Sequence, residues 1–166
     1  MLSKSKFILG QQCTKSFWFD VNNVKPSNPP DDSAKERLSA GNEVGEISKQ
    51  LFPGGQEVPY LPGKEKEMFE ITKRLLEDGV TSIYEGSFIF DDIFVRVDLM
   101  NKTDKGWDIY EVKSSSSKKS YHEYDASIQW YVLKKLNIFD LNEVFIVTLN
   151  NKFTKKRKRR VFFNSI

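Results

Sequence analysis

Residues 94–113 read FVRVDLMNKTDKGWDIYEVK, and this stretch decides the fold that we predict for the chain. Residues 94–100 are rich in β-branched and apolar side chains, and residues 107–113 alternate between apolar and polar ones, as strands do. Between them, residues 103–106 (TDKG) suit a tight turn in which Gly106 takes a positive φ. The stretch is therefore predicted to be a β-hairpin.

Two acids and a lysine are expected on one face of this hairpin. If the turn is centred on Asp104 and Lys105, Asp98 lies opposite Glu111. Directly opposed residues share a face of the sheet and have Cβ atoms about 5 Å apart. Lys113 follows Glu111 by two residues, so its side chain is expected on that same face.

Two interpretations of this face are open. Two carboxylates at such a short distance repel each other. The arrangement makes sense if a divalent cation lies between them, and oxygen ligands suit Mg²⁺ or Mn²⁺. A lysine beside the metal can orient a water molecule or stabilise charge that develops on a phosphate. The other interpretation is a solvated face with a cross-strand ion pair. The permissive spacing D-x12-E-x-K alone favours this second interpretation.

The composition predicts one soluble domain that spans residues 1–166. Of its 166 residues, 39% are hydrophobic and 30% are charged, which is typical of a domain with a real core. The one cysteine, Cys13, excludes a disulfide or an all-cysteine cluster within this chain. No apolar run reaches the roughly 18 residues of a membrane span, and there is no signal-peptide core. We therefore expect a cytoplasmic protein without a membrane partner.

Positive charge is concentrated near the C-terminus. Residues 155–160 (KKRKRR) supply six of the 26 basic residues, against 23 acidic ones, so the rest of the chain carries a net negative charge. Such a run can contact nucleic-acid phosphates, and Lys155, Lys156 and Arg157 are candidates for that contact. A solvated tail is at least as good an interpretation.

The chain is expected to divide into an N-terminal arm and helix (1–63), a core (64–150) and a basic C-terminal segment (151–166). Ser3 is expected to cap a short helix in the arm. A capping box at Ser33 and Glu36 predicts a second helix that ends near Phe52. The predicted core elements are, in order, a helix at 64–78, a strand at 81–90, the hairpin, a helix at 121–136 and a strand at 143–150.

This order of elements predicts an α/β fold. Two short-linked hairpins give an antiparallel meander, and the helix at 121–136 can cross over so that the last strand lies parallel to its neighbour. The residues of that helix expected to face the core are Tyr124, Ile128, Tyr131, Val132 and Leu136. The result is a mixed central sheet of about four strands flanked by helices.

Several short motifs resemble one superfamily when they are taken in order. They are LSKSKFILGQQC at 2–13, GNEVGEISKQLFPGG at 41–55, IYEGSF at 83–88, VRVDLM at 95–100, IYEVKSS at 109–115 and DASIQWYVL at 125–133. With this set the chain resembles the PD-(D/E)XK nucleases, which have a restriction-endonuclease-like αβββαβ core, and among them the RecB-type and CRISPR-adaptation nucleases. The closest resemblance is to the nuclease-like N-terminal module of an uncharacterised bacterial domain family.

This resemblance implies a metal-dependent nuclease that hydrolyses phosphodiester bonds. DNA is the expected substrate, and other proteins of a nucleic-acid processing or defence system are expected partners. The alternative is a catalytically weak or inactive module of the same fold that binds nucleic acid or other proteins. Binding of a shared cation by the two acids would separate the two, because only the nuclease requires it.

The resemblance also implies a set of metal ligands. The carboxylates of Asp98 and Glu111 would bind Mg²⁺ or Mn²⁺, and the carbonyl of Val112 would add a third oxygen. Glu85, on the neighbouring strand, matches an acidic position that reaches the metal through water. An ordinary carboxylate on an edge strand is an equally good interpretation of Glu85.

Other implied roles come with departures from the family pattern. Lys113 would be the catalytic lysine, and Gln129 would support the lysine or the substrate. RecB-type nucleases often carry a metal-binding histidine where this chain has Gly45, so robust cleavage is less expected. The one histidine, His122, is expected to be a surface or capping residue. Cys13 matches the first cysteine of the iron–sulfur relatives but lacks partners, so no iron–sulfur cluster is expected.

Further candidates for contact with nucleic acid follow the second hairpin strand. The polar loop at 114–120 leaves that strand directly, so Lys118 and Lys119 are placed to meet a phosphate near the metal. Tyr121 adds an aromatic ring to this group. An ordinary flexible loop explains the same composition equally well.

Overall fold

The computed structural model describes residues 1–24, 32–152 and 163–165. The helices are α1 (Lys4–Gln12), α2 (Thr14–Val21), α3 (Asp32–Ser48), α4 (Glu65–Glu77) and α5 (Ser120–Leu136), with a 3-10 turn at Lys49–Leu51 after α3. The strands are β1 (Leu2–Ser3), β2 (Gln56–Glu57), β3 (Ser82–Phe90), β4 (Ile93–Thr103), β5 (Gly106–Lys113), β6 (Leu141–Leu149) and β7 (Phe163–Ser165). None of the described helices is both long and apolar enough to cross a membrane.

The strands form one mixed sheet in the order β2-β3-β4-β5-β6-β7, and β1 pairs with β4 beside this path. The β3–β4 and β4–β5 pairs are antiparallel, whereas β6 lies parallel to β5. The prediction of an α/β fold with a mixed sheet is therefore confirmed. About four strands were expected, which corresponds to the long strands β3 to β6. The short strands β1, β2 and β7 were missed because two or three residues carry no strand pattern of their own.

The hairpin has the register that its sequence predicts. Thr103 pairs with Gly106, so the turn consists of Asp104 and Lys105. Gly106 has a φ of +126°, and a Cβ atom added there would lie 2.4 Å from the carbonyl oxygen of Asp140. Glycine therefore suits this position both for its backbone angle and for its close neighbour.

Helices α3 and α5 cover opposite faces of the sheet. Neighbouring strand residues point to opposite faces, and on β5 the ring of Tyr110 packs on Phe52, after α3, with centroids 4.8 Å apart. The next residue, Glu111, instead contacts Gln129 of α5. The main core is formed by the sheet with α4 and α5, and its buried members include Met68, Phe88, Ile109, Val132 and Leu133.

Two helix predictions need correction. Helix α3 begins at Asp32, so Ser33 lies inside the helix rather than ahead of it as an N-cap. On α5, Tyr124 and Tyr131 are 48% and 40% exposed and do not belong to the core. The reason is that α5 turns polar side chains, among them Gln129, toward the sheet.

Candidate functional site

A break between two strands creates the candidate site. The pairing of β4 with β5 ends at Leu99 and Tyr110. Continuing this register puts Asp98 opposite Glu111, at the point where the strands separate. The Asp98 side chain replaces a backbone acceptor there, because its Oδ2 accepts the N–H of Val112 at 2.7 Å.

The N-terminal segment enters this break. Ser3 pairs with Phe94 of β4, and it caps α1 as predicted, because its Oγ accepts the N–H of Lys6 at 3.3 Å. Lys4 is the first residue of α1. Its Nζ lies 2.9 Å from Oε2 of Glu111, so a lysine side chain from the first helix reaches the carboxylate of a central strand.

Glu111 is the most enclosed acid of the site, with 2% of its surface exposed. Its Oε2 accepts hydrogen bonds from Lys4 at 2.9 Å and from Gln129 Nε2 at 2.6 Å. Its Oε1 accepts one from Lys113 at 2.5 Å. Burial alone would raise the pKa of Glu111, but the ammonium groups of Lys4 and Lys113 hold it well below its usual range. Glu111 is therefore ionised and already fully paired.

Asp125 on α5 completes the arrangement. Its carboxylate contacts Lys113 and lies 3.3 Å from Nζ of Lys4. Gln129 follows one turn later and donates to the Asp125 carbonyl oxygen at 3.2 Å. We call Lys4, Glu111, Lys113, Asp125 and Gln129 the charged cluster. Burial would lower the pKa of Lys113, yet the neighbouring carboxylates Glu111 and Asp125 raise it, so its amine stays protonated.

Asp98 borders the charged cluster but differs from Glu111 electrostatically. Burial raises the pKa of Asp98 to about 7, the negative charge of Glu111 adds to this, and Lys4 partly offsets it. Its Oδ1 has no hydrogen-bond partner among the described residues. Among the described residues, no basic side chain is paired directly with this second acid.

Glu85 marks a change of face in β3. Tyr84 donates its hydroxyl to a carbonyl of the 3-10 turn after α3, whereas Phe90 contacts Tyr131 of α5 on the other face. Regular alternation would put residues 84 and 90 on one face. Glu85 has a φ of +57°, which reorients the strand and costs about 1–3 kcal/mol for a residue with a side chain. Burial raises its pKa, although Arg96 lies 3.3 Å from its Oε2.

A cavity of about 250 Å³ lies between these acids and α3. Glu85, Asp98 and Val112 line it from the sheet, and Gly41 and Gly45 line it from the helix. A Cβ atom added at either glycine would meet no heavy atom within 4 Å. The helix therefore leaves open space above the acids of the sheet.

The donors around this cavity have the chemistry of an Mg²⁺ or Mn²⁺ site, although the set is incomplete. Asp98, Glu85 and the Val112 carbonyl offer oxygen atoms only. Across residues 1–24, 32–152 and 163–165, however, no three Asp, Glu, His or Cys side chains are grouped closely enough to share an ion. For Glu111 to bind a metal ion together with Asp98, it would have to give up a contact with Lys4 or Lys113.

The other residues proposed from the sequence lie outside the charged cluster. Lys118 pairs with Glu123 at 3.0 Å, and the Nζ of Lys119 lies 5.7 Å from the centroid of the Tyr121 ring. His122 is buried, and its Nδ1 accepts the Lys119 N–H at 3.2 Å, so it is a capping residue rather than a surface one. Burial lowers the pKa of His122, and the charges of lysines nearby lower it further. The candidates Lys155, Lys156 and Arg157 lie outside the described residues.

Two members of the charged cluster were missed from the sequence. Asp125 had a signal, because it precedes Gln129 by four residues and so shares a face of the same helix. Lys4 had none, because it is 107 residues away from Glu111 in the chain. Lys4 and Lys113 both bring positive charge to Glu111. No protein-family model matches the chain, and neither does any curated protein.

Proposed function

We propose that this chain is an Mg²⁺- or Mn²⁺-dependent nuclease that hydrolyses phosphodiester bonds, with DNA as its substrate, and that its core is restriction-endonuclease-like. One observation carries the proposal. Where β4 and β5 separate, Glu111 is buried against Lys113, and continuing the strand register puts it opposite Asp98. Such a pair of acids with a lysine suits phosphodiester hydrolysis, because phosphate oxygens attract both a bound cation and an ammonium group.

The metal would be held by Asp98, by Glu111 and by the Val112 carbonyl. Asp98, Val112 and Glu85 line the cavity beside α3, whereas Glu111 belongs to the charged cluster. When bound, it would supply an activated water molecule and neutralise charge on the phosphate. Asp98 contributes an oxygen without a hydrogen-bond partner among the described residues. Burial and the charge of Glu111 raise its pKa, so a bound cation would stabilise its ionised form.

Lys113 acts as a charged donor rather than as a base in this proposal. Glu111 and Asp125 hold its amine in place and raise its pKa, so it stays an ammonium at neutral pH. Aimed at a phosphate, it would stabilise the negative charge that develops as water attacks. Gln129 is a positioning residue, since its amide holds Glu111 at 2.6 Å.

The test is single-turnover cleavage of single- and double-stranded DNA with excess protein and Mn²⁺. We expect Lys113→Ala to lower the rate roughly 100-fold or more while substrate affinity stays within about tenfold. Lys113→Arg should not restore the rate, because a guanidinium is larger and differently hydrated. Lys105→Ala, in the hairpin turn, is the matched control and should cut like the wild type. Equal rates for wild type, Lys113→Ala and Glu111→Gln would assign the activity to a contaminant.

A second candidate is a module of the same fold that binds nucleic acid or protein without turnover. The full pairing of Glu111 favours it, because Lys4, Lys113 and Gln129 already occupy both carboxylate oxygens. It predicts that the wild type cuts no substrate with either Mg²⁺ or Mn²⁺. Complete absence of cleavage would therefore replace the nuclease proposal with this one.

A further inference from the structure

A second pocket, of about 560 Å³, opens beside the charged cluster. The N-terminal segment lines one side with Lys4 and Lys6, β4 lines another with Arg96, and Tyr60 comes from the loop before α4. Lys4 belongs to both places, since its side chain lines this pocket and its Nζ lies 2.9 Å from Glu111. The pocket and the charged cluster therefore share the side chain of Lys4.

The charge of this pocket suits an anion. Among the charged residues that line it, Lys4, Lys6 and Arg96 are basic and Glu65 is acidic. Lys4 and Arg96 are also paired with acids outside the lining, Glu111 and Glu85 respectively. Lys6 pairs with Asp20 at 3.2 Å, but both side chains are more than 40% exposed. Such solvated pairs contribute little and exchange readily, so Lys6 is available to a phosphate.

Arg96 carries an unused hydrogen-bond donor. Its Nη2 donates to the carbonyl oxygen of Val58 at 3.2 Å and lies 3.3 Å from Glu85. Its Nε is buried and has no partner among the described residues. A buried donor without an acceptor costs stability, and this one belongs to a side chain that lines the pocket.

An aromatic platform stands next to these cations. The guanidinium of Arg96 lies 5.1 Å from the centroid of the Tyr60 ring, so it helps to hold the ring in place. Tyr60 is nevertheless 65% exposed. A fixed, exposed ring beside basic side chains is the arrangement on which unpaired bases stack while the phosphates contact the cations.

We propose that this pocket binds a nucleotide of a single strand next to the bond that is cut. The base stacks on Tyr60, and its phosphate lies between Lys6 and Arg96. The strand is single because a paired base does not offer its face to a side chain. The inference rests on the proposed nuclease function, whose substrate it specifies as unpaired.

The test measures binding apart from cleavage, by fluorescence anisotropy of a labelled single-stranded oligonucleotide with the full chain in EDTA. Tyr60→Ala should weaken binding roughly tenfold, whereas Tyr60→Phe should keep it. Lys6→Gln should lower the salt slope of binding by about one. The matched controls are Tyr124→Ala, an exposed tyrosine on α5, and Lys73→Gln on α4, which should both bind like the wild type.

Three results would overturn the inference. They are no binding of the oligonucleotide, equal affinity for Tyr60→Ala and Tyr124→Ala, and a duplex that binds more tightly than the single strand. Failure of the nuclease proposal looks different, because it is the absence of Mn²⁺-dependent cleavage. If the Tyr60→Ala variant cuts DNA and binds the oligonucleotide like the wild type, the nuclease proposal stands and the pocket is not a subsite.

Discussion

Glu111 shows how a buried acid can be balanced by residues from three separate elements. Lys4 comes from α1, Lys113 from its own strand, and Gln129 from α5. Removing one of these partners would leave a buried charge without its pair. The free-energy cost of that unpaired charge is larger than the contribution of the lost contact. A divalent cation at Glu111 would compete with the ammonium groups of Lys4 and Lys113.

The first prediction concerns this exchange at Lys4. Lys4→Met removes an ammonium group that competes with a divalent cation for Glu111, so Mn²⁺ should bind more tightly. We expect a larger Mn²⁺-induced rise in melting temperature than in the wild type, by mass action. Without metal, the variant should lose roughly 2 kcal/mol of unfolding free energy.

Two comparisons decide this prediction. Lys6→Met, whose ion pair is solvated, should respond to Mn²⁺ like the wild type. Asp98→Asn should blunt the response, because it removes a proposed ligand. A rise in Lys4→Met that is no larger than in the wild type would contradict the competition.

At the scale of the element, α5 shows which features of a helix can be predicted from the sequence and which cannot. Its bounds were predicted to within one residue, because helix periodicity and a polar loop are local signals. Its buried face was predicted only in part. Ile128 and Val132 are buried as expected, but Tyr124 and Tyr131 are exposed. Asp125 and Gln129 are buried in addition. The hydrophobic pattern assumes that apolar residues face the sheet. Here Lys113 and Glu111 stabilise polar partners in that place.

The second prediction concerns the start of α5 and pH. The folded state holds His122 neutral, so its pKa is lower than in the unfolded chain, which binds the proton more readily. Stability from this group is present above about pH 6.5, the ordinary value, and is lost as pH falls below it. His122→Gln keeps an acceptor for the Lys119 N–H and should lose less stability between pH 7.5 and 5.5.

Urea unfolding at both pH values measures this difference. His122 is the one histidine of the chain, so the comparison isolates a single imidazole from the titrating carboxylates. If both proteins lose equal stability on acidification, His122 does not carry the effect.

The third prediction concerns α3, whose glycines leave space above Asp98 and Glu85. Gly45→His should place an imidazole in that space and tighten Mn²⁺ binding, because nitrogen ligands add to the oxygen donors there. Gly45→Ala is the control. It should raise the unfolding free energy by about 0.5–1 kcal/mol through the helix alone and leave Mn²⁺ affinity unchanged. Isothermal titration with Mn²⁺ distinguishes the two, and equal affinities would show that α3 does not face the metal.

At the scale of the whole molecule, predictability follows sequence distance. The hairpin register was read correctly because its turn residues lie between the strands that they join. The parallel β6 was also expected, because a helix long enough for a crossover precedes it. Two other contacts join segments that are far apart in the sequence, and no local pattern encodes them. They are the pairing of β1 with β4 and the contact of Lys4 with Glu111.

The fourth prediction concerns the distribution of charge over the molecule. Residues 155–160 lie outside the described residues, so the expectation rests on sequence alone. If this run contacts phosphates, its replacement by glutamines should weaken nucleic-acid binding and flatten the salt dependence. Replacing Lys134 and Lys135 of α5 is the control for loss of charge. An unchanged salt slope would identify the run as a solvated tail.

The backbone of Glu85 also limits how this chain can vary. At a φ of +57°, glycine is free of strain, and asparagine and aspartate tolerate the angle better than other residues. Branched residues such as valine or isoleucine, which are favoured elsewhere in a strand, are the worst choices there. The substitutions that selection accepts at this position are therefore ranked by backbone geometry first, and only then by the charge that Glu85 brings to the cavity.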